Sequence, residues 1–148
     1  MKSPALFIDR DGTIIKQIDG EYISSINQIE FIETIFPAIL MLQNEGYLVI
    51  MVTNQAGINK GILSHEQVDE INQHIIQSLK RHGIEISGAY VCPHKTEEKC
   101  KCRKPEPGLL LKAAEEHGID LKNSVIIGDS EKDTKAGLNA GLRKVIKI

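Results

Sequence analysis

Tryptophan is absent, and aromatic residues make up only 4% of the 148-residue chain. That poverty argues against a surface that stacks single-stranded bases, which needs such rings. An excess of charge of one sign is also missing. Eighteen Lys and Arg against twenty Asp and Glu leave a formal net charge of −2, so there is no basic footprint for a phosphate backbone. No apolar run approaches the about 20 residues that span a bilayer. Met1-Lys2 leads into the first apolar segment without the features of a secretory leader. These absences predict a cytoplasmic protein with neither nucleic acid nor membrane as partner. Cysteine is scarce too, with three residues confined to positions 92–102. In a reducing compartment so tight a cluster points to metal binding or catalysis, not to a disulfide framework.

What is present is regular alternation. Ala5–Ile8 reads as a buried strand, and Thr34 to Glu45 is apolar at helical spacing before Gly46. Leu48–Val52 is a near-continuous apolar run, as in strands covered on both faces. Ser64-His65-Glu66-Gln67 has the form of a capping box, opening a helix that ends at Gly83. Ala89–Val91, Ser124–Ile127 and Lys144–Ile148 read as further strands. A helix runs from Pro107 to Gly118, and another from Asp133 to Ala140. This order predicts a single α/β domain over 1–148, a three-layer α/β/α sandwich around a mostly parallel sheet of about five strands. The Thr13–Thr34 segment has room for a short hairpin-like flap only, so no large cap domain is expected.

In such sheets ligands bind beyond the carboxyl ends of the strands, and the distinctive polar residues fall there. Strand one ends in Asp9-Arg10-Asp11-Gly12-Thr13, and strand two in Thr53-Asn54-Gln55. Strand three runs into a Cys/His loop and then Arg103-Lys104-Pro105; strand four ends in Gly128-Asp129-Ser130, with Asp133 one turn on. Carboxylates, a hydroxyl and a cation meeting at one rim suit phosphoryl transfer, which is largely positioning plus charge stabilisation. A carboxylate can act as nucleophile, and a second can move the proton. Mg²⁺ takes a few carboxylates, water and substrate phosphate, a set that Asp9, Asp11 and Asp129 can supply.

With those motifs in that order, the chain resembles the haloacid dehalogenase superfamily of phosphohydrolases, with its Rossmann-like fold. The resemblance implies Asp9 as nucleophile and Mg²⁺ ligand. It implies Asp11 as general acid and base, with its backbone carbonyl on the metal. Thr53 and Lys104 are then the residues that hold the phosphoryl oxygens, Asp129 completes the metal site, and Asp133 supports that site from behind.

Cys92-Pro93-His94, five residues, then Cys100-Lys101-Cys102 supplies three sulfurs and one imidazole, a donor set for a closed tetrahedral structural Zn²⁺ site. The remaining histidines, His65, His74, His82 and His117, read as solvated surface. The zinc loop narrows the resemblance to the heptose bisphosphate phosphatases and the related histidinol-phosphate phosphatase domains. Thr53-Asn54-Gln55-Ala56-Gly57-Ile58 and Cys102-Arg103-Lys104-Pro105-Glu106-Pro107-Gly108 favour the heptose group. That likeness implies a sugar bisphosphate as substrate, attacked at its 7-phosphate through an aspartyl-phosphate. It also implies that Arg103 meets the second anionic group, and that Asp19, Tyr22, Asn54, Gln55 and Ser130 contact substrate. The chain departs from the group's pattern at Ser130, where a Lys is usual, and at Lys60, where an Arg is usual. The alternatives are a histidinol-phosphate or other small sugar-phosphate phosphatase and, from a different class, a zinc-stabilised scaffold without catalysis. A monomer is expected, because no long amphipathic stripe is left over once the core is built.

Overall fold

The computed structural model describes residues 1–148. Strand β1 (Ala5–Asp9) is buried at every position and lies at the centre of a five-stranded sheet of order β3-β2-β1-β4-β5. Its neighbours are β2 (Leu48–Asn54) and β4 (Val125–Gly128), with β3 (Ile86–Cys92) and β5 (Lys144–Lys147) at the edges. Every pairing is parallel. A parallel neighbour requires a crossover, and the four crossovers carry α1 (Phe36–Asn44), α2 (His65–Arg81), α3 (Gly108–His117) and α4 (Glu131–Ala140).

Two apolar layers result. Leu6, Ile8, Val49, Met51 and Ile127 face Ile39 of α1 and Ile71, Ile75 and Leu79 of α2. On the opposite face Phe7, Ile50, Val52 and Ile126 pack with Leu109, Leu110 and Ala113 of α3. Helix α4 joins this second layer closely. A Cβ on its Gly137 would stand 2.6 Å from Ile126 and 2.7 Å from Val145, so glycine is what allows that approach.

The chain first builds leftward from β1 to β3, then returns to β1's other side with β4. The strand order thus reverses between β1 and β4, the place where open α/β sheets hold ligands. Asp9 closes β1 there, and Asp129 follows Gly128 of β4.

Some boundaries differ from the sequence reading. A single 3₁₀ turn (Glu33–Ile35) precedes α1, which starts at Phe36 and not Thr34. Pro37 lacks an N–H and fits only a first helical turn, which fixes that start. Helix α4 starts at Glu131, because the Asp133 carboxylate reaches back to the Ser130 N–H at 3.2 Å and caps the helix earlier. The flap is hairpin-like, as expected. Lys16 N–H donates to Glu30 O and Ile32 N–H to Ile14 O, both at 2.8 Å. Buried Ile14, Ile15 and Ile23 root it in the core.

Candidate active site and metal centres

Lys104 arrives from the loop before α3 with its side chain only 3% exposed. Its Nζ donates to Asp9 Oδ1 at 2.7 Å, to Asp133 Oδ1 at 2.6 Å and to Val52 O at 3.1 Å. Carboxylate oxygens of Asp9, Asp129 and Asp133 lie within 4.8 Å of one another. Two carboxylates thus share one ammonium, and a third, Asp129, stands beside them without a cation of its own. Burial pushes the Asp9 carboxyl up to about 8, with Asp133 and Asp129 adding to the rise and Lys104 opposing it. Burial also works against the charge on Lys104, yet Asp9 and Asp133 hold its pKa above the ordinary value. A pocket of hard oxygen donors with surplus negative charge fits a small divalent cation, whose own charge would reverse the rise at Asp9.

Two glycines let the carboxylates close in. A Cβ at Gly12 would lie 2.0 Å from Asp129 Oδ2, and one at Gly128 would lie 2.2 Å from Asp133 Oδ2. Gly12 also holds φ +88°, a left-handed conformation that other residues adopt at a cost.

The Asp11 carboxylate stands outside that cluster. Arg10 Nε and Nη2 donate to its Oδ1 and Oδ2 at 2.9 and 3.2 Å, and Gln55 Nε2 donates to Oδ2 at 2.8 Å. Arg10 is wholly buried. The sequence reading passed over it as the variable residue between two aspartates. The one available signal was a polar Asn72 among the apolar positions of α2, and that amide accepts from Arg10 Nη1 at 3.0 Å.

A cleft of about 490 Å³ opens on this cluster. Asp9, Asp11, Thr53, Asn54, Arg103, Lys104, Asp129, Ser130 and Asp133 all line it, with Tyr22 on the flap side. Two expected lining residues do not. Gln55 is fully buried and spends its amide on Asp11 and on Thr53 Oγ1, at 2.9 Å; it points inward because the chain turns after β2. Asp19 is exposed on the flap, while its neighbours Ile18 and Gly20 face the cleft. Asn54 lines the cleft and also clamps the Lys104 backbone, accepting its N–H at 3.0 Å and donating to its carbonyl at 3.2 Å. Lys60 bonds the Tyr22 hydroxyl at 3.1 Å, tying the flap to the loop after β2.

Beside the cleft, ligand atoms of Cys92, His94, Cys100 and Cys102 also fall within 4.8 Å of one another. Zn–S bonds of about 2.3 Å imply sulfur–sulfur edges of about 3.8 Å in a tetrahedron. Cys100 lies 3.6 Å from Cys92 and 3.7 Å from Cys102, and His94 Nδ1 lies 3.4 and 3.2 Å from Cys92 and Cys102. The Cys92–Cys102 edge is compressed to 2.6 Å, still well beyond the ~2.05 Å of a disulfide. Burial pushes the Cys92 and Cys102 thiols up. At Cys100 burial also works upward, but hydrogen bonds from the Arg103 and Cys102 backbone and from its thiol neighbours bring it down to about 7. Four soft donors with no other partner in common fit Zn²⁺. Of the other histidines, His74 and His117 depart from the solvated reading: both are half-buried, and His117 packs edge-on against Tyr90, at 6.1 Å between ring centres.

A HAD-hydrolase-like family model matches residues 101–146, the stretch from the Cys/His loop through α4. A D-glycero-beta-D-manno-heptose-1,7-bisphosphate 7-phosphatase from Helicobacter pylori is 44% identical over 140 residues, covering 94% of this chain and 80% of the relative. The chain belongs to the HAD-like heptose bisphosphate phosphatases. A D-glycero-alpha-D-manno-heptose-1,7-bisphosphate 7-phosphatase from Campylobacter jejuni is 39% identical and covers 100% of this chain and 84% of the relative. Among solved structures, a D,D-heptose 1,7-bisphosphate phosphatase from B. bronchiseptica, complexed with magnesium and phosphate, superposes with a TM-score of 0.86 at 27% identity, over 95% of this chain and 78% of that one. As a HAD-like phosphatase the chain is an enzyme, which removes the scaffold alternative. No helix is long and apolar enough to cross a membrane.

Proposed function

We propose that this phosphatase removes the 7-phosphate of a D-glycero-D-manno-heptose 1,7-bisphosphate through an aspartyl-phosphate on Asp9. The observation that carries the substrate reading is the set of unpaired cations lining the cleft. Besides Lys104 it is lined by Lys60, Arg103 and Lys132, and none of these three is paired with a carboxylate. A substrate with a second anionic group suits that lining. Histidinol phosphate, with an amine in place of the second phosphate, would find Glu21 as its one carboxylate outside the catalytic groups, against those three cations. The names of the relatives agree with the bisphosphate.

Lys104 occupies Asp9 Oδ1 and leaves Oδ2 to attack phosphorus. As that bond forms, the ester P–O bond breaks and Asp11 gives its proton to the departing sugar oxygen. Asp11 then takes a proton from the attacking water, the bond from phosphorus to Asp9 breaks, and the carboxylate is restored. Thr53 and Lys104 hold the phosphoryl oxygens in line. A divalent cation, Mg²⁺ in this reading, belongs on the carboxylates of Asp9 and Asp129 and the backbone carbonyl of Asp11, where it neutralises phosphoryl charge. Asp133 serves by anchoring Lys104. Zn²⁺ belongs on Cys92, His94, Cys100 and Cys102 and holds the loop that presents Arg103 and Lys104.

The test is a kinetic comparison of both heptose 1,7-bisphosphate anomers, a heptose 7-phosphate, histidinol phosphate and common hexose phosphates, with Mg²⁺ and with EDTA. The expected outcome is a kcat/KM for one bisphosphate anomer at least about tenfold above every monophosphate, a preference of about 1.4 kcal/mol, and none of it in EDTA. Equal values for bisphosphate and monophosphate would remove the second-anion reading.

A further inference from the structure

The fold gains from buried Arg10 a bond to Asn72 of α2 at 3.0 Å, but nothing from its pairing with Asp11. A buried guanidinium gives up its hydration, and an ion pair between adjacent residues ties no distant elements together. Arg10 is nonetheless 0% exposed, while the Asp11 side chain keeps 23% of its surface toward the cleft. Gln55, which also donates to Asp11 Oδ2, makes a matching sacrifice. Its Oε1 is buried without a partner, although a buried acceptor left unpaired forfeits its hydration with nothing in return. The opposite amide orientation would set Oε1 against the Asp11 carboxylate, which only accepts, so the donor side is committed to Asp11. Asn72 supplies the outer contact, from the buried face of α2, 62 residues away.

We propose that Arg10, Gln55 and Asn72 form a cradle that sets the orientation of Asp11 for proton transfer. Arg10 donates to both of its oxygens, Gln55 adds a second donor to Oδ2, and Asn72 steadies Arg10. All three are positioning residues acting through Asp11, and none of them lines the cleft. The inference rests on the acid–base role proposed for Asp11 above.

A mispositioned acid harms poor leaving groups more than good ones, because a good leaving group departs without a proton. The experiment therefore compares kcat/KM for phenyl phosphate and 4-nitrophenyl phosphate, with Mg²⁺, in Asn72→Leu, Gln55→Leu, Asn72→Asp and Asp11→Asn. The ratio of the two values within one variant cancels its folded fraction, so a loss of stability does not imitate the effect. Asn72→Leu and Gln55→Leu are expected to lose about tenfold more on phenyl than on 4-nitrophenyl phosphate, part of the 10²–10⁴-fold that a general acid contributes. Asn72→Asp, which keeps an acceptor for Arg10, is expected to retain the wild-type ratio. Equal losses on both substrates in the two leucine variants, with Asp11→Asn changing the ratio, would overturn the cradle alone. An unchanged ratio in Asp11→Asn would overturn the role of Asp11, and the cradle with it.

Discussion

Asp9→Asn is expected to lower turnover by a factor on the order of 10⁴ or more, the scale seen when a covalent nucleophile is removed, while leaving the fold intact. The two side chains have nearly the same shape, so the 10%-exposed site stays filled. Lys104 keeps its bond to Asp133 at 2.6 Å and is not stranded as a lone buried charge. The amide is no nucleophile, and it is a poor ligand for a hard cation. Stability gives a second readout. Without a cation, the Asp9 carboxyl sits at about 8 in the fold against an ordinary 3.8. Folding therefore favours its protonated form. The contribution of this group is fully present below 3.8 and is lost as pH rises toward 8. At neutral pH in EDTA the Asn variant should then melt at or above the wild-type temperature. Mg²⁺ should raise the wild-type melt and leave the variant's unchanged. Calorimetry in the two buffers checks both signs, and turnover within tenfold of wild type would remove Asp9 from the nucleophile's place.

Cys100→Ser is expected to release zinc and cost several kcal/mol. The side chain is only partly buried, and serine nearly matches it in size, so lost packing accounts for little. Structural zinc supplies apparent folding energies of about 10–16 kcal/mol in small domains. Here a sheet-based core remains, so about 3 kcal/mol is a fair share, or a fall on the order of 10 °C. Activity should fall as well. The Arg103 N–H donates to Cys100 Sγ at 3.3 Å, Arg103 Nη1 reaches His94 O at 3.4 Å, and Lys104 follows directly. Added Mg²⁺ should not restore it, which separates this defect from loss of the carboxylate-bound cation. The measurement pairs zinc content by mass spectrometry with a thermal melt. A variant that keeps its melting temperature would deny zinc a structural part.

How much of this could be read in the sequence depended on distance along the chain. Asp9, Thr53 and Asp129 were legible because each closes an apolar run, and a parallel sheet carries all such ends to one rim; Lys104 was legible by the Arg103-Lys104-Pro105 motif that follows the Cys/His loop. The Cys/His donors were legible for a simpler reason: all four lie between 92 and 102, and their spacing alone limits what they can bind. Arg10 was not legible, since arginine is rarely buried and nothing local reveals its partner on α2. Gln55 was read as substrate-facing through the likeness of Thr53-Asn54-Gln55 to the heptose group's pattern. Which way a side chain turns past a strand end depends on contacts with Asp11, 44 positions away. The 3₁₀ turns escaped notice because three residues show no periodicity.

The most direct test of the account is to locate the phosphoryl group on the protein. A rapidly acid-quenched reaction with a phosphate ester, reduced with borohydride, converts an aspartyl-phosphate to homoserine, which peptide mass spectrometry can place. The account predicts homoserine at position 9 alone, dependent on Mg²⁺ and absent from Asp9→Asn. Homoserine at Asp11, Asp129 or Asp133, or steady turnover with no modified aspartate, would contradict it.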